Sequence, residues 1–331
     1  MKKIKIIFVL LLASSVLYGS DFKGSGASFP YSVYQAWIKA YYNAKGVEID
    51  YIKKGSSEGI KDITNRNVNF AGSDKPLSPK DLKKRRLYQF PAVVGAITVS
   101  FNIPKVKKLK ISRLALADIA LGKIKYWDNP LLTKQNPELK GVHKKLTFVR
   151  RSDGSGTTFN FTYYLSKISS TWRNEYGAKK SLSWPGDNQI GGKTNTGVAA
   201  LIKQIPYSVG YVDYADAKSA NLNMASLENR DRKFISPKLK NFQIAASKAT
   251  LDAKKDFYSV IADPAGAKSY PIIAATFILL PKEHPNMDKK VIKFYSYSYS
   301  KGAKYASKLG YVPLPNSLVS KIKNYWKEKG L

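Results

Sequence analysis

Residues 150–158 read Arg-Arg-Ser-Asp-Gly-Ser-Gly-Thr-Thr, and they stand between two stretches of different period. Before them, residues 146–149 (Leu-Thr-Phe-Val) form a short apolar run that reads as a strand. After them, residues 159–165 space their apolar side chains as one face of a helix. A strand that turns through glycines into a helix leaves backbone N–H groups unpaired and pointing outward. Those donors, the positive end of the helix dipole and the hydroxyls of Ser155 and Thr157 make a ready anion site. Arg151 adds a planar fork of donors suited to a tetrahedral oxyanion, and Asp153 stands where it can hold that guanidinium in one orientation. The same residues also fit a polar surface turn with a solvated arginine, so this turn alone decides nothing.

Two more turns of the same kind stand upstream. Residues 24–30 open a helix in which Pro30 suits the first turn and Val33, Trp37, Ala40 and Tyr41 recur at helical spacing. Val47, Ile49 and Tyr51 alternate with charged residues as a strand would, and residues 55–59 follow. The next helix runs through Ile60 and Ile63, with Ser56 placed to cap it. A strand at 68–71 then enters Gly72–Ser73–Asp74, closed by Pro76. Three Gly/Ser turns, each opening a helix in an α/β chain, form convergent donors for one anion at the carboxyl ends of strands.

The rest continues in the α/β manner. Residues 88–102 form a long extended apolar run, and 114–121 a short helix ending at Gly122. Residues 127–130 read as a turn, 197–205 as a helix, 209–212 as a strand, and 289–309 and 317–326 as C-terminal helical stretches. A second extended run, 272–280, lies far from the first in sequence. Placed where the chain would leave and re-enter one domain, the two runs imply two lobes joined by two crossovers: residues 20–93 with 272–331, and residues 94–271. Residues 186–194 imitate a nucleotide P-loop, but Asp187 stands where its first glycine belongs. A Gly-rich turn bordering the anion cleft is the better reading.

Composition narrows the chemistry. A chain of 331 residues with 44% hydrophobic and 12% aromatic content supports two folded domains. The absence of cysteine excludes disulfides, thiolate zinc sites and a cysteine nucleophile. With His143 and His284 the only histidines, neither a histidine metal site nor a histidine-based triad is expected. Lys2, Lys3 and Lys5 precede a short apolar core at 6–13 and then small and polar residues through Ser20, the pattern of a secretory signal peptide spanning residues 1–19. The formal charge is +33. Without the three leader lysines it stays at about +30, a balance that fits nucleic acid, acidic membranes or envelope polyanions. Yet the lysines are scattered, as at 83–86, 105–110 and 238–240, and no RNP, helix-turn-helix or zinc-finger pattern accompanies them. They read as a generally basic surface, with no specific nucleic-acid partner.

The chain also resembles the PstS family, the periplasmic phosphate-binding proteins of ABC-type phosphate transporters. The motifs that carry the resemblance are GSGASFP (24–30), KGSSEG (54–59), FAGSDKPLS (70–78), QFPAVVGAI (89–97), LGKIKYWDNP (121–130), RRSDGSGTTFNFTYYL (150–165), PYSVGYVDYA (206–215) and ATFILL (275–280). They keep the family's order over nearly the whole chain. The resemblance implies a two-lobe, Venus-flytrap α/β fold, a monomer without cofactor or metal, and delivery of inorganic phosphate to permease and ATPase subunits. Carried over by motif, the phosphate ligands are Ser28 and Phe29 (largely through backbone N–H), Ser56, Asp74, Arg151, Ser155, Gly156 and Thr157, with Asp153 orienting the arginine. Glu58 departs from the pattern, standing where the family has a small residue; at the second position of a helix it is expected to face solvent. The high charge departs too.

Two other functions compete with phosphate capture. An exported phosphoester hydrolase would use Ser155 or Thr157 as nucleophile, but no histidine lies in the three turns to activate it. A basic exported protein binding envelope polyanions or nucleic acid would show strongly salt-dependent binding. The leader pattern makes one expectation testable at once: mass spectrometry of periplasmic material should find a chain cleaved near Gly19. An intact Met1 terminus in the cytoplasm would overturn it.

Overall fold

The computed structural model describes residues 20–331; the expected signal peptide lies outside them. Strand and helix alternate from the start: β1 (Phe22–Gly26), α1 (Tyr31–Lys45), β2 (Ile49–Lys53), α2 (Ser56–Thr64), β3 (Phe70–Ser73) and α3 (Pro79–Arg85). The long β4 (Leu87–Asn102) follows, then β5 (Lys110–Ile111), α4 (Arg113–Ala120), α5 (Pro130–Thr133), β6 (Thr147–Arg151), α6 (Gly156–Ile168) and α7 (Ser170–Glu175). Next come β7 (Gln189–Gly192), α8 (Thr194–Gln204), β8 (Ser208–Asp213), α9 (Tyr214–Ser219), β9 (Asn223–Met224), β10 (Ser226–Glu228), β11 (Phe234–Ile235) and α10 (Leu239–Ala246). The chain closes with β12 (Ile273–Pro281), α11 (Pro285–Ser300), α12 (Ala303–Leu309) and α13 (Asn316–Glu328). Among the described residues no helix is long and apolar enough to cross a membrane.

The main sheet has the order β2-β1-β3-β12-β4-β8-β6-β7. β1 pairs in parallel with β2 and β3, and β6 in parallel with β7 and β8. Between these parallel sets, β4 and β12 run antiparallel. β4 changes partner midway: Leu87–Ala96 pair with β12 and Ile97–Asn102 with β8. A strand buried on both faces needs a continuous apolar run, which is why this one is legible from sequence. The result is two α/β lobes. The carboxyl ends of β1, β3 and β6 turn toward one seam, as open parallel sheets arrange their ligand crevices.

Each lobe is filled by aromatic side chains. In the first, Tyr34 meets Tyr51 edge-on at 4.9 Å and Tyr295 at 6.0 Å, and Phe70 meets Tyr295 at 6.0 Å. In the second, Phe161 stacks on Tyr211 at 4.4 Å, with Trp184 at 5.7 Å from Tyr211. Such contacts contribute about 0.5–1.5 kcal/mol each beyond buried area. Tyr211 also holds the β6–α6 turn, because its hydroxyl accepts the Arg151 N–H at 3.1 Å and lies 2.6 Å from Thr158 Oγ1.

Several local expectations are corrected. Ser56 does not cap α2: Gly55 is the N-cap, and Ser56 Oγ instead accepts the Asp74 N–H at 3.2 Å. The third strand begins at Phe70 rather than 68 and runs on to Ser73. Residues 189–192 are not a turn but the edge strand β7, and α8 starts at Thr194, three residues before the periodicity announces it. The helical stretch 289–309 is two helices, α11 and α12. Gly302 packs under Trp37 at the break, where the Trp37 indole donates to its carbonyl at 2.9 Å. A Cβ on Gly302 would sit 2.7 Å from the Trp37 ring.

Candidate anion site between the lobes

Arg151 ends β6, and its side chain is 1% exposed. Its Nε donates to Asp153 Oδ1 at 2.6 Å and its Nη2 to Asp153 Oδ2, which leaves the Nη1 edge of the fork uncommitted. Asp153 Oδ1 also accepts the Thr194 N–H at 3.1 Å. Gly55 of the other lobe lies against this pair with φ +96, and a Cβ there would stand 2.5 Å from Asp153 Oδ2. Glycine supplies both the backbone angle and the room.

The start of α6 meets the first lobe just as closely. Ser155 is the N-cap, its Oγ accepting the Thr158 N–H at 3.1 Å. A Cβ on Gly156 would clash with Ser56 Oγ and lie 2.6 Å from Asp74 Cβ, so the two loops touch backbone to side chain. Bonds cross the seam here: Ser57 N–H to Gly154 O at 2.9 Å, and Asn160 Nδ2 to Asp74 O at 2.7 Å. Ser28 and Thr157 are joined through Asn195, whose Nδ2 lies 3.3 Å from Ser28 Oγ and 3.2 Å from Thr157 Oγ1. Ser28, Ser56, Asp74, Arg151, Ser155, Gly156 and Thr157 are all buried. This is a closed arrangement.

Asp74 carries the unusual electrostatics. Its Oδ1 accepts the Thr276 hydroxyl at 2.7 Å, and its Oδ2 lies 3.5 Å from Ser56 Oγ. Burial pushes its pKa up to about 7, against the opposing pull of the Thr276 bond, Arg151 and Ser56. Outside the seam, Lys75 lies over the Phe159 ring at 5.1 Å across the lobes. Burial, then the charges of Lys75 and Arg85, bring Lys180 down to about 8.

The structure therefore brings every sequence-named residue to one seam. Phe29 contributes no ring to it: the side chain packs edge-on against Tyr311 at 6.1 Å, and the Tyr311 hydroxyl donates to its carbonyl at 2.6 Å. Glu58 faces solvent, as expected. Asn160, Asn195, Thr276 and Tyr211 are additions that the sequence reading lacks. Asn160, Thr276 and Tyr211 sit inside quoted motifs, but nothing in their spacing marks a role, and Asn195 stands just past a stretch that reads as a turn.

A family model described as a PBP superfamily domain matches residues 18–301. The phosphate-binding protein PstS of Haemophilus influenzae is 42% identical, the match covering 99% of this chain and 98% of that protein. Its counterpart in Pasteurella multocida is 40% identical, over 92% of this chain and 89% of that protein. The chain belongs to the PstS family. PstS proteins are substrate-binding proteins, not enzymes. The same two-lobe fold recurs in PfluDING, a high-affinity periplasmic phosphate-binding protein solved with phosphate, at a TM-score of 0.76 and 19% identity over 92% of this chain and 93% of that one. A phosphate-bound substrate-binding protein from Clostridium perfringens matches at a TM-score of 0.66 and 16% identity, over 89% and 99%.

The raised pKa of Asp74 gives a pH dependence with a definite sign. Closed and folded, the carboxyl holds its proton up to about 7, whereas unfolded it loses it near the ordinary carboxylate value of 3.8. Its contribution to stability is fully present below the unfolded value and is lost as pH rises through the folded one. An asparagine side chain in its place does not titrate. The partners Thr276 and Ser56 belong to the same lobe as Asp74, so the shift does not rest on closure alone. In phosphate-free buffer, the Tm gained by Asp74→Asn should be larger at pH 8 than at pH 5, and an equal gain at both would overturn this account.

Proposed function

We propose that the chain, exported to the periplasm, captures inorganic phosphate between its lobes and delivers it to the permease of an ABC-type phosphate transporter. The lobes are taken as residues 20–93 with 272–331 and residues 94–271, a division supported by the change of partner along β4 between Ala96 and Ile97. The ligands are Ser28, Ser56, Asp74, Arg151, Ser155, Thr157 and the backbone of Phe29 and Gly156, with Asp153 holding the arginine. One observation carries the reading: the fully buried carboxyl Asp74 shares the seam with a buried guanidinium, Arg151, whose Nη1 edge is left free by Asp153. Phosphate at neutral pH keeps a proton to donate, and an ionised carboxylate can only accept.

The surroundings of the hydroxyls oppose a hydrolase. Ser155 Oγ and Thr157 Oγ1 receive hydrogen bonds from the Thr158 N–H and the Asn195 amide, neither of them a base. The buried seam also opposes a polymeric anion as its ligand. The cations Lys75 and Lys180 at its edge suit the steering of a small anion toward the opening.

Because donors come from both lobes, closure is favoured when ligand completes the shell. Phosphate should compact the mature protein in small-angle scattering. Arg151→Ala should weaken binding by about 2–4 kcal/mol and remove most of that compaction. Unchanged affinity in calorimetry would put the site elsewhere.

Selectivity against sulfate follows from Asp74. Sulfate has no proton to give, so against the ionised Asp74, the form that prevails above about pH 7, it would set oxygen lone pairs against oxygen lone pairs in a dry site, at a cost of several kcal/mol. Asp74→Asn should admit sulfate while phosphate binding partly survives. If calorimetry finds sulfate still excluded and phosphate affinity unchanged, Asp74 does not set selectivity.

A further inference from the structure

A fourth helix start reaches the seam besides those of α1, α2 and α6. At α8, Thr194 is β-branched yet sits at φ +62, a left-handed backbone that such residues avoid. Strain of this kind persists where the surroundings over-determine it. Here the Thr194 N–H is held by Asp153 Oδ1 at 3.1 Å, the oxygen that also takes Arg151 Nε. Asn195 follows, fully buried. Its backbone N–H and its Nδ2 both donate to Ser28 Oγ at 3.3 Å, and Nδ2 also donates to Thr157 Oγ1 at 3.2 Å. Lys193, the N-cap, makes no side-chain cap bond, so Ser28, reaching over from the first lobe, caps α8. Asn195 Oδ1 meets no partner among the described residues.

A hydroxyl carries one proton and two lone pairs. Ser28 Oγ accepts twice from Asn195, so both lone pairs are engaged and its proton is what remains to offer. Thr157 Oγ1 accepts from the same amide, which favours the same sense. We propose that Asn195 is a positioning residue: by donating to Ser28 and Thr157 from within the closed seam, it turns both hydroxyls into donors toward the bound anion. This rests on the reading of the seam as the phosphate site. A freely rotating hydroxyl can present a lone pair to the anion, and that orientation repels it. Fixing the donor sense beforehand removes the reorganisation that binding would otherwise require. The bond to Ser28 joins the two lobes, so the polarity is set as they close.

Calorimetry with inorganic phosphate on the mature chain tests this. Asn195→Ala should weaken binding roughly ten- to hundredfold. Its effect should shrink by at least about threefold in a Thr157→Val background, where half of what it orders is gone, whereas a merely structural role would give independent, additive losses. Asn195→Asp, whose carboxylate can only accept, should bind more weakly than Asn195→Ala. Should Asn195→Ala fail to fold by circular dichroism, Asn195→Ser carries the same comparison. Affinity like that of the unmodified chain in Asn195→Ala, an undiminished loss in the Thr157→Val background, or retained binding in Asn195→Asp would each overturn the proposal. Arg151→Ala, measured alongside, separates the two readings. If it loses binding while Asn195→Ala does not, only the positioning role falls; if it binds unchanged, the phosphate site itself is misassigned.

Discussion

The ion pair between Arg151 and Asp153 is the constraint on which the rest of the seam depends. A guanidinium with a side chain only 1% exposed is costly to bury unless it is paired and hydrogen-bonded. Asp153 meets that requirement and also fixes the direction of the fork. Such a pair contributes little net stability, because desolvation offsets most of its attraction. What it provides is geometry. The same carboxylate takes the Thr194 N–H and lies against Gly55, so β6, α8 and the α2 loop are all registered on one group.

With Asp153 neutralising the guanidinium, the seam's character toward an anion comes from N–H and O–H donors around a compensated charge. Asp74 is then the odd member. Its burial raises its proton affinity toward neutrality, so its state is sensitive to what else occupies the seam. Thr276 holds one of its oxygens from β12, a central strand. This buried carboxyl is thus anchored to the rigid middle of the molecule, while most of the donors lie on helix starts at the sheet ends.

The sequence is most legible where physical chemistry leaves a local mark. Glycines beside hydroxyls before an apolar helical face announce the turns at Gly55 and Gly154, and a continuous apolar run announces β4. It is least legible where a residue's role is set by a neighbour distant in the chain. Ser56 looks like a helix cap because serine before a helix usually is one. Only the approach of Asp74 diverts its oxygen. The strand at 189–192 carries little apolar alternation, and it forms because β6 offers it an edge. Asn195 has no local signature at all, since its partners stand 167 and 38 residues away. The break at Gly302 is hidden for the same reason: Trp37, far upstream, occupies the space a side chain would need.

β4 passes from one lobe to the other without leaving the sheet, and β12 runs beside it, both buried almost throughout. In mechanical terms the joint is a ribbon rather than a pair of strings. A hydrogen-bonded ladder resists stretching and sliding, which break its rungs, but yields to twist, which sheets already contain. The lobes can therefore rotate about the ribbon while keeping their alignment along it. Donors on facing loops then return to the same register at every closure, and the jaws meet at one repeatable gap. A seam of one fixed width sets a limit of size, whatever polar groups line it.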